Sequence, residues 1–136
     1  MASIHQEITV AARAAHVWES LRDVANVHKR VVPGFLTDCR MEGEARVVTF
    51  FNGMVAKELI VDLDDDARRL VWSVVEGRMS HHNGSIQVFA DGEGCRLVWI
   101  ADILPHELAK PVGGMMQQGM DAMKKKLEAD TAVPAE

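Results

Sequence analysis

Cysteine is scarce in this chain. Cys39 and Cys95 stand alone, far apart and in no CxxC pattern, which fits a reducing compartment with free thiols. The opening MASIHQEITV lacks a basic n-region followed by a long apolar run, so no secretory leader is expected. No apolar run approaches the ~20 residues that a membrane span needs. Positive charge is not concentrated either. The formal net charge is −5, and apart from Lys124, Lys125 and Lys126 the basic residues are scattered, which argues against a nucleic-acid partner. That lysine run reads as a solvated face near a helix C-terminus. There is no HExxH, no Gly-rich phosphate loop, no nucleophile elbow and no Ser-His-Asp arrangement, so covalent catalysis has no support. Internal repeats and low-complexity segments are absent. A cytoplasmic protein with no cofactor is the expectation.

What the chain does have is apolar patterning: 48% of its 136 residues are hydrophobic, enough to bury the core of one domain. SIHQEITVA alternates Ile4, Gln6, Ile8 and Val10 against His5, Glu7 and Thr9, as a strand does. Val17, Trp18, Leu21 and Val24 are spaced for one helix stripe, and Asn26 is placed to cap a second short helix that leads to the Pro33–Gly34 turn. From residue 35 to 104 strands and turns follow one another: FLTDCRME, ARVVTFF, MVAKELIVDL, RRLVWSVVEG, SIQVFADG and CRLVWIADIL. The short connections imply an antiparallel meander. At the end, Met116, Met120, Met123 and Leu127 recur at helical spacing, with Pro111 marking a kink or the true start of a long helix. The final residues, 130–136, read as a flexible tail beyond a domain spanning 1–129.

One strand, two short helices, a run of strands and one long helix make an α+β fold. In this order the segments AAHVWESLRDVANVHK, RVVTFFNGMVAKELIVDLDDDARRLVWSVVEG, GEGCRLVWIADILP and MMQQGMDAMKKKLE resemble the START-like superfamily, also called SRPBCC or helix-grip. The similarity is to its bacterial polyketide cyclase/dehydrase-like single-domain subgroup, with its HHN and VW-x-x-D-x-L-P segments. The resemblance runs from about Ile4 to Glu128. It implies a curved antiparallel sheet of about six or seven strands wrapped around the C-terminal helix, with a cavity between them. It does not choose among the members' activities, which include lipid and hormone binding and polyketide cyclisation.

Strand alternation says which side chains face that cavity. With Asn52–Gly53 as a two-residue hairpin loop, Phe51 lies opposite Met54, Thr49 opposite Ala56 and Val47 opposite Glu58. That set forms the inner wall and carries Glu58 inward, while Arg46, Val48, Phe50, Val55, Lys57 and Leu59 face water. Leu70, Trp72 and Val74 are the inward set of their strand, and Leu97, Trp99, Ala101 and Ile103 of theirs. In HHNGSIQVF, counting back from Val88 and Ile86 puts Gly84 and His82 inward and His81 outward. Adjacent strand residues point to opposite sides, so His81 and His82 cannot share one metal, and no metal site is expected.

The candidate site follows. Phe51, Trp72, Trp99, Met116, Met120 and Met123 form an apolar wall, with Met115 and the glycines around it making an adaptable helix face. His82 and Glu58 orient a ligand's polar end, with Asn83 joining if the strand twists. Each has a plain structural alternative: a hydrogen-bonded wall histidine, a salt-bridged carboxylate, tryptophans and methionines that only fill core. The favoured function is binding a small hydrophobic or amphipathic molecule in an internal cavity. The alternatives are a cyclase/dehydrase-type enzyme using His82 and Glu58 as acid/base groups, and a protein-partner or stress-related module with no small ligand. The exposed strand edges could also pair in a homodimer.

Overall fold

The apolar alternations and the helical stripe all become elements. The computed structural model describes residues 2–76 and 79–131. In chain order they are β1 (Ser3–Val10), α1 (Ala14–Arg22), a 3₁₀ turn (Val24–Asn26), α2 (Val27–Arg30), β2 (Leu36–Glu42) and β3 (Ala45–Phe50). Then come β4 (Val55–Asp64), β5 (Arg69–Glu76), β6 (His81–Asp91), β7 (Gly94–Leu104), a second 3₁₀ turn (His106–Leu108) and α3 (Ala109–Thr131). The strands form one seven-stranded sheet in the order β1-β7-β6-β5-β4-β3-β2. Every pair of neighbours is antiparallel.

β2 to β7 is the expected meander. β1 adds to its far edge, with Ile4 opposite Ala101 and Ile8 opposite Leu97. Register shifts between Leu36 and Asp38 on β2 and between Ile60 and Asp62 on β4, and one opposite Lys57/Glu58 where β5 carries the extra residue Val75, bend the sheet, since a bulge adds a residue to one strand and sharpens its twist.

α3 is 23 residues long and lies in the curve. Met116, Met120, Met123 and Leu127 are all buried along one face. The helix runs alongside β1. Near its start, Gln6 Nε2 donates to the Gly113 carbonyl at 2.8 Å, which explains a polar residue on the inward face of β1. Near its end, Lys124 Nζ donates to the Thr9 carbonyl at 2.6 Å. Pro111 occupies the first turn of α3, where a missing N–H costs nothing. Asp130 and Thr131 still belong to α3, and residues 132–136 of the expected tail lie outside the described residues.

One expectation of register is corrected. The β3–β4 loop has three residues, Phe51, Asn52 and Gly53, not two. Phe50 N–H donates to the Met54 carbonyl at 2.7 Å, and Gly53 N–H donates back to the Phe50 carbonyl at 2.9 Å. Gly53 has φ +86°. A turn closed by a left-handed glycine is the three-residue alternative for the same Asn-Gly pair, and Asn52 Oδ1 fixes it by accepting from Met54 N–H at 3.1 Å. The pairs are therefore Thr49 with Val55, Val47 with Lys57 and Arg46 with Glu58. A one-residue slip exchanges the faces of a strand. Hence β3 turns Arg46 and Phe50 inward, while β4 keeps Ala56 and Glu58 inward as expected.

Candidate functional site

A cavity of about 340 Å³ lies between the sheet, the two short helices and α3. Its floor comes from alternate residues of β5 to β7. Trp72 and Val74 on β5, His82 and Ile86 on β6, and Trp99 on β7 all line it, as alternation predicts. Val112, Met115, Met116 and Met123 of α3 form the opposite wall, and Met54 and Val55, both largely exposed, stand at its rim.

Two glycines set the shape. Gly84 lies opposite Trp72 in the ladder. A Cβ there would sit 2.6 Å from Trp72 Cε2, so the indole lies flat on bare backbone. On α3, a Cβ at Gly119 would approach Trp99 Cζ3 to 3.0 Å and Phe35 Cε2 to 3.3 Å. The two indoles meet at 6.1 Å between centroids, tilted by 57°.

The polar part of the wall is small. Arg46 and Glu58 are directly opposed across β3 and β4, and Arg46 Nε donates to Glu58 Oε1 at 2.8 Å. Arg46 is 4% exposed. Its Nη1 also donates to the Val24 carbonyl at 3.3 Å, and its guanidinium carbon lies 5.7 Å from the Trp72 ring centroid. His82 is the third titratable lining residue among those described. Burial pushes its pKa below the ordinary 6.5, the nearby Glu58 charge opposes this, and His81 adds to the lowering. A histidine so placed is neutral at pH 7. Two buried polar atoms of lining residues, His82 Nδ1 and Trp99 Nε1, have no hydrogen-bond partner among the described residues.

Of the expected site residues, Trp72, His82, Glu58, Trp99, Met116 and Met123 meet in this cavity. Three do not. Phe51 is carried to the hairpin tip by the register slip. It is 49% exposed, 6.0 Å from the Phe35 ring, and Phe50 takes the inward place. Asn83 stays on the other face of β6, opposite Asp102 and Ser73, because the strand does not twist enough to turn it in. Met120 is fully buried in the packed core instead of lining the space. Arg46 was expected in water. The signal that could have found it is Gly53, which permits the three-residue loop as readily as the two-residue one. His82 and Glu58 are not hydrogen-bonded to each other; Glu58 is held by Arg46.

No group of three or more His, Cys, Asp or Glu among the described residues is placed to hold a metal. Cys39 and Cys95 are free thiols, both with pKa raised by burial. No helix among the described residues is long and apolar enough to cross a membrane.

Comparison with known proteins places this geometry. The fold matches the protein XoxI from Bacillus cereus with a TM-score of 0.82 at 15% identity, covering 93% of this chain and 96% of that one. A START superfamily protein from Mycobacterium smegmatis matches with a TM-score of 0.80 at 12% identity, over 95% and 99% of the two chains. Norcoclaurine synthase from Thalictrum flavum, in complex with dopamine and hydroxybenzaldehyde, matches with a TM-score of 0.71 at 21% identity, over 96% and 88%. A search of curated proteins found no match. The family model for polyketide cyclase / dehydrase and lipid transport proteins matches residues 1–128. With a START-like helix-grip fold and that match over nearly its whole length, the chain belongs to the polyketide cyclase / dehydrase and lipid transport family.

Proposed function

We propose that this protein binds a small, largely apolar molecule in the cavity between its sheet and α3. The observation that carries the reading is the wall itself: two tryptophans and five methionines around about 340 Å³, with only a few polar groups among them. Small-molecule sites have this composition, and they range upward from about 300 Å³. The methionines supply a face that can adapt to its occupant. The tryptophans offer flat apolar faces, and the norcoclaurine synthase of the same fold is in complex with dopamine and hydroxybenzaldehyde, which supports an aromatic ligand. The reading needs no cofactor, and the free Cys39 and Cys95 support a reducing, cytoplasmic setting.

The test is a titration with naphthalene followed by tryptophan fluorescence. Trp72 and Trp99 line the cavity, so saturable quenching is expected. Met115→Trp, which fills the helix side of the space, should weaken binding by about tenfold or more while leaving the melting temperature nearly unchanged. Unchanged affinity in that variant would place binding elsewhere.

One observation favours a second reading. His82 is held neutral in the cavity and can accept a proton at pH 7. Glu58 is engaged by Arg46, so His82 is the better candidate for moving a proton between carbon and oxygen of a bound ketone. Deuterium exchange next to the carbonyl of 1-tetralone tests this. Exchange accelerated by the protein and lost in His82→Gln, with binding retained, supports an enzyme; exchange at the buffer rate leaves a carrier.

A further inference from the structure

The charges in the cavity cancel, and the two buried atoms of its lining left without a hydrogen-bond partner belong to uncharged groups. Arg46, Glu58 and His82 are its titratable lining residues among those described. Arg46 is already committed, to Glu58 at 2.8 Å and to the Val24 carbonyl at 3.3 Å. Those bonds use two of its five N–H groups, but Glu58 balances its one charge, so a ligand carboxylate entering here would be a second anion on a single cation. Recruiting Arg46 away from its partner would strand Glu58, and a buried carboxylate without a cation is strongly disfavoured. The unmet capacity is of another kind. The indole N–H of Trp99 can only donate. Neutral His82 has one donor and one acceptor nitrogen, and its Nδ1 has no partner. Both atoms lie closed beneath the wall surface, and a carbonyl or hydroxyl oxygen that reaches them as the methionine face yields meets these needs without bringing a charge. Size narrows the class further. A space of about 340 Å³ is at the small end of small-molecule sites, room for one or two rings and not a diacyl lipid.

We propose that the cavity selects uncharged one- or two-ring molecules bearing a carbonyl or hydroxyl oxygen and rejects carboxylates, with the Arg46–Glu58 pair as the charge filter and Trp99 and His82 as the polar contacts. This deepens the binding reading and rests on it. It assigns Arg46 a role in specificity: it keeps the site neutral by holding Glu58 and being held by it.

Three probes of one shape separate the contributions: naphthalene, 2-naphthol and 2-naphthoate, titrated at pH 8 into the full chain and read by calorimetry or by chemical shifts of the indole N–H groups. 2-Naphthol should bind about tenfold tighter than naphthalene, the scale of one or two net hydrogen bonds. 2-Naphthoate should bind about a hundredfold weaker than 2-naphthol. Glu58→Gln frees the Arg46 charge and should bring a gain of about tenfold or more in 2-naphthoate affinity. Trp99→Phe keeps an aromatic face and removes the donor; it should erase most of the 2-naphthol preference over naphthalene, whatever the smaller ring costs both probes alike. Trp99→Phe remains informative if Glu58→Gln fails to fold. Equal binding of all three probes by the wild type overturns the selection and leaves the cavity reading standing, as does a 2-naphthol preference that survives Trp99→Phe intact. Failure of all three to bind overturns both.

Discussion

The two ends of the interior are built from the same elements and behave oppositely. At one end Leu97 of β7 and Met120 and Leu127 of α3 are fully buried, packed with Val10 of β1 into a continuous core. At the other, Trp99 of the same strand and Met115 and Met116 of the same helix line open space. Hydrophobicity does not separate the ends. What differs is local: register shifts bend β4, glycines let indoles lie against backbone at Gly84 and Gly119, and polar groups enter the wall with Arg46, Glu58 and His82. One end therefore holds the fold together, and the other is free to hold something else.

The sharpest way to break this comparison is to truncate one apolar side chain at each end. Leu97→Ala should cost about 3–4 kcal/mol, because a well-packed site loses transfer energy and keeps a cavity. Met115→Ala, beside space that already exists, should cost under about 1 kcal/mol. Urea unfolding reads both, with the slope as a check that the unfolded state has not changed. Equal losses would mean that the cavity end is as tightly packed as the core.

Next in size is the ion pair. Arg46→Met leaves Glu58 facing an apolar wall without its cation and should destabilise by about 3 kcal/mol. The double variant Arg46→Met/Glu58→Met removes both charges and should recover at least half of that loss, since a buried pair stabilises little relative to packed hydrophobes. A double variant no better than the single one would mean that the pair itself, not the stranded charge, sets the stability.

The same contrast governs how much was legible in the sequence. On β5 to β7 the inward residues alternate cleanly, so Trp72, Ile86 and Trp99 could be assigned and His82 counted in with them. The stripe at Met116, Met120 and Met123 likewise fixed which face of α3 meets the sheet. Periodicity stops there: it says which way Met120 points, not whether a space or a neighbour awaits it. The β3–β4 hairpin was ambiguous for another reason. Asn52–Gly53 suits a two- or a three-residue loop, and the choice decides whether Arg46 or Val47 meets Glu58. Pairing of β1 with β7 joins residues as much as 99 positions apart, as at Ser3 and Asp102, and no local pattern announces it.

Glycine substitutions sharpen the comparison at smaller scale. Gly84→Ala puts a methyl 2.6 Å from Trp72 Cε2 and should cost about 1–3 kcal/mol as the indole shifts. The Trp72 indole N–H resonance should move. Gly114→Ala, also in a wall element but with nothing within 4 Å of the added methyl, should instead stabilise by about 0.5–1 kcal/mol through helix propensity. If both change stability in the same direction, the close approach at Gly84 is not what that glycine provides.

The smallest effect is a pH dependence, and its sign follows from where His82 sits. Its folded pKa lies below the ordinary 6.5, chiefly because burial disfavours the charged ring. Between the two values the unfolded chain binds the proton and the folded chain does not, so stability rises with pH across that window and levels off above about 6.5. Acidification from pH 7.5 to 5.5 should therefore lower the urea midpoint, and His82→Gln should remove the part of that loss that His82 carries. The outward His81, exposed on the other face of β6, is the matched control: His81→Gln should leave the part of the loss that His82 carries in place. If the two variants behave alike, the cavity does not desolvate His82, and the neutral base on which proton transfer would depend is not there. If they differ as expected, the same titration says where a bound ligand acts. An uncharged molecule that hydrogen-bonds to neutral His82 should lower its pKa further and deepen the loss of stability in acid, so the shift with and without 2-naphthol reads the contact directly.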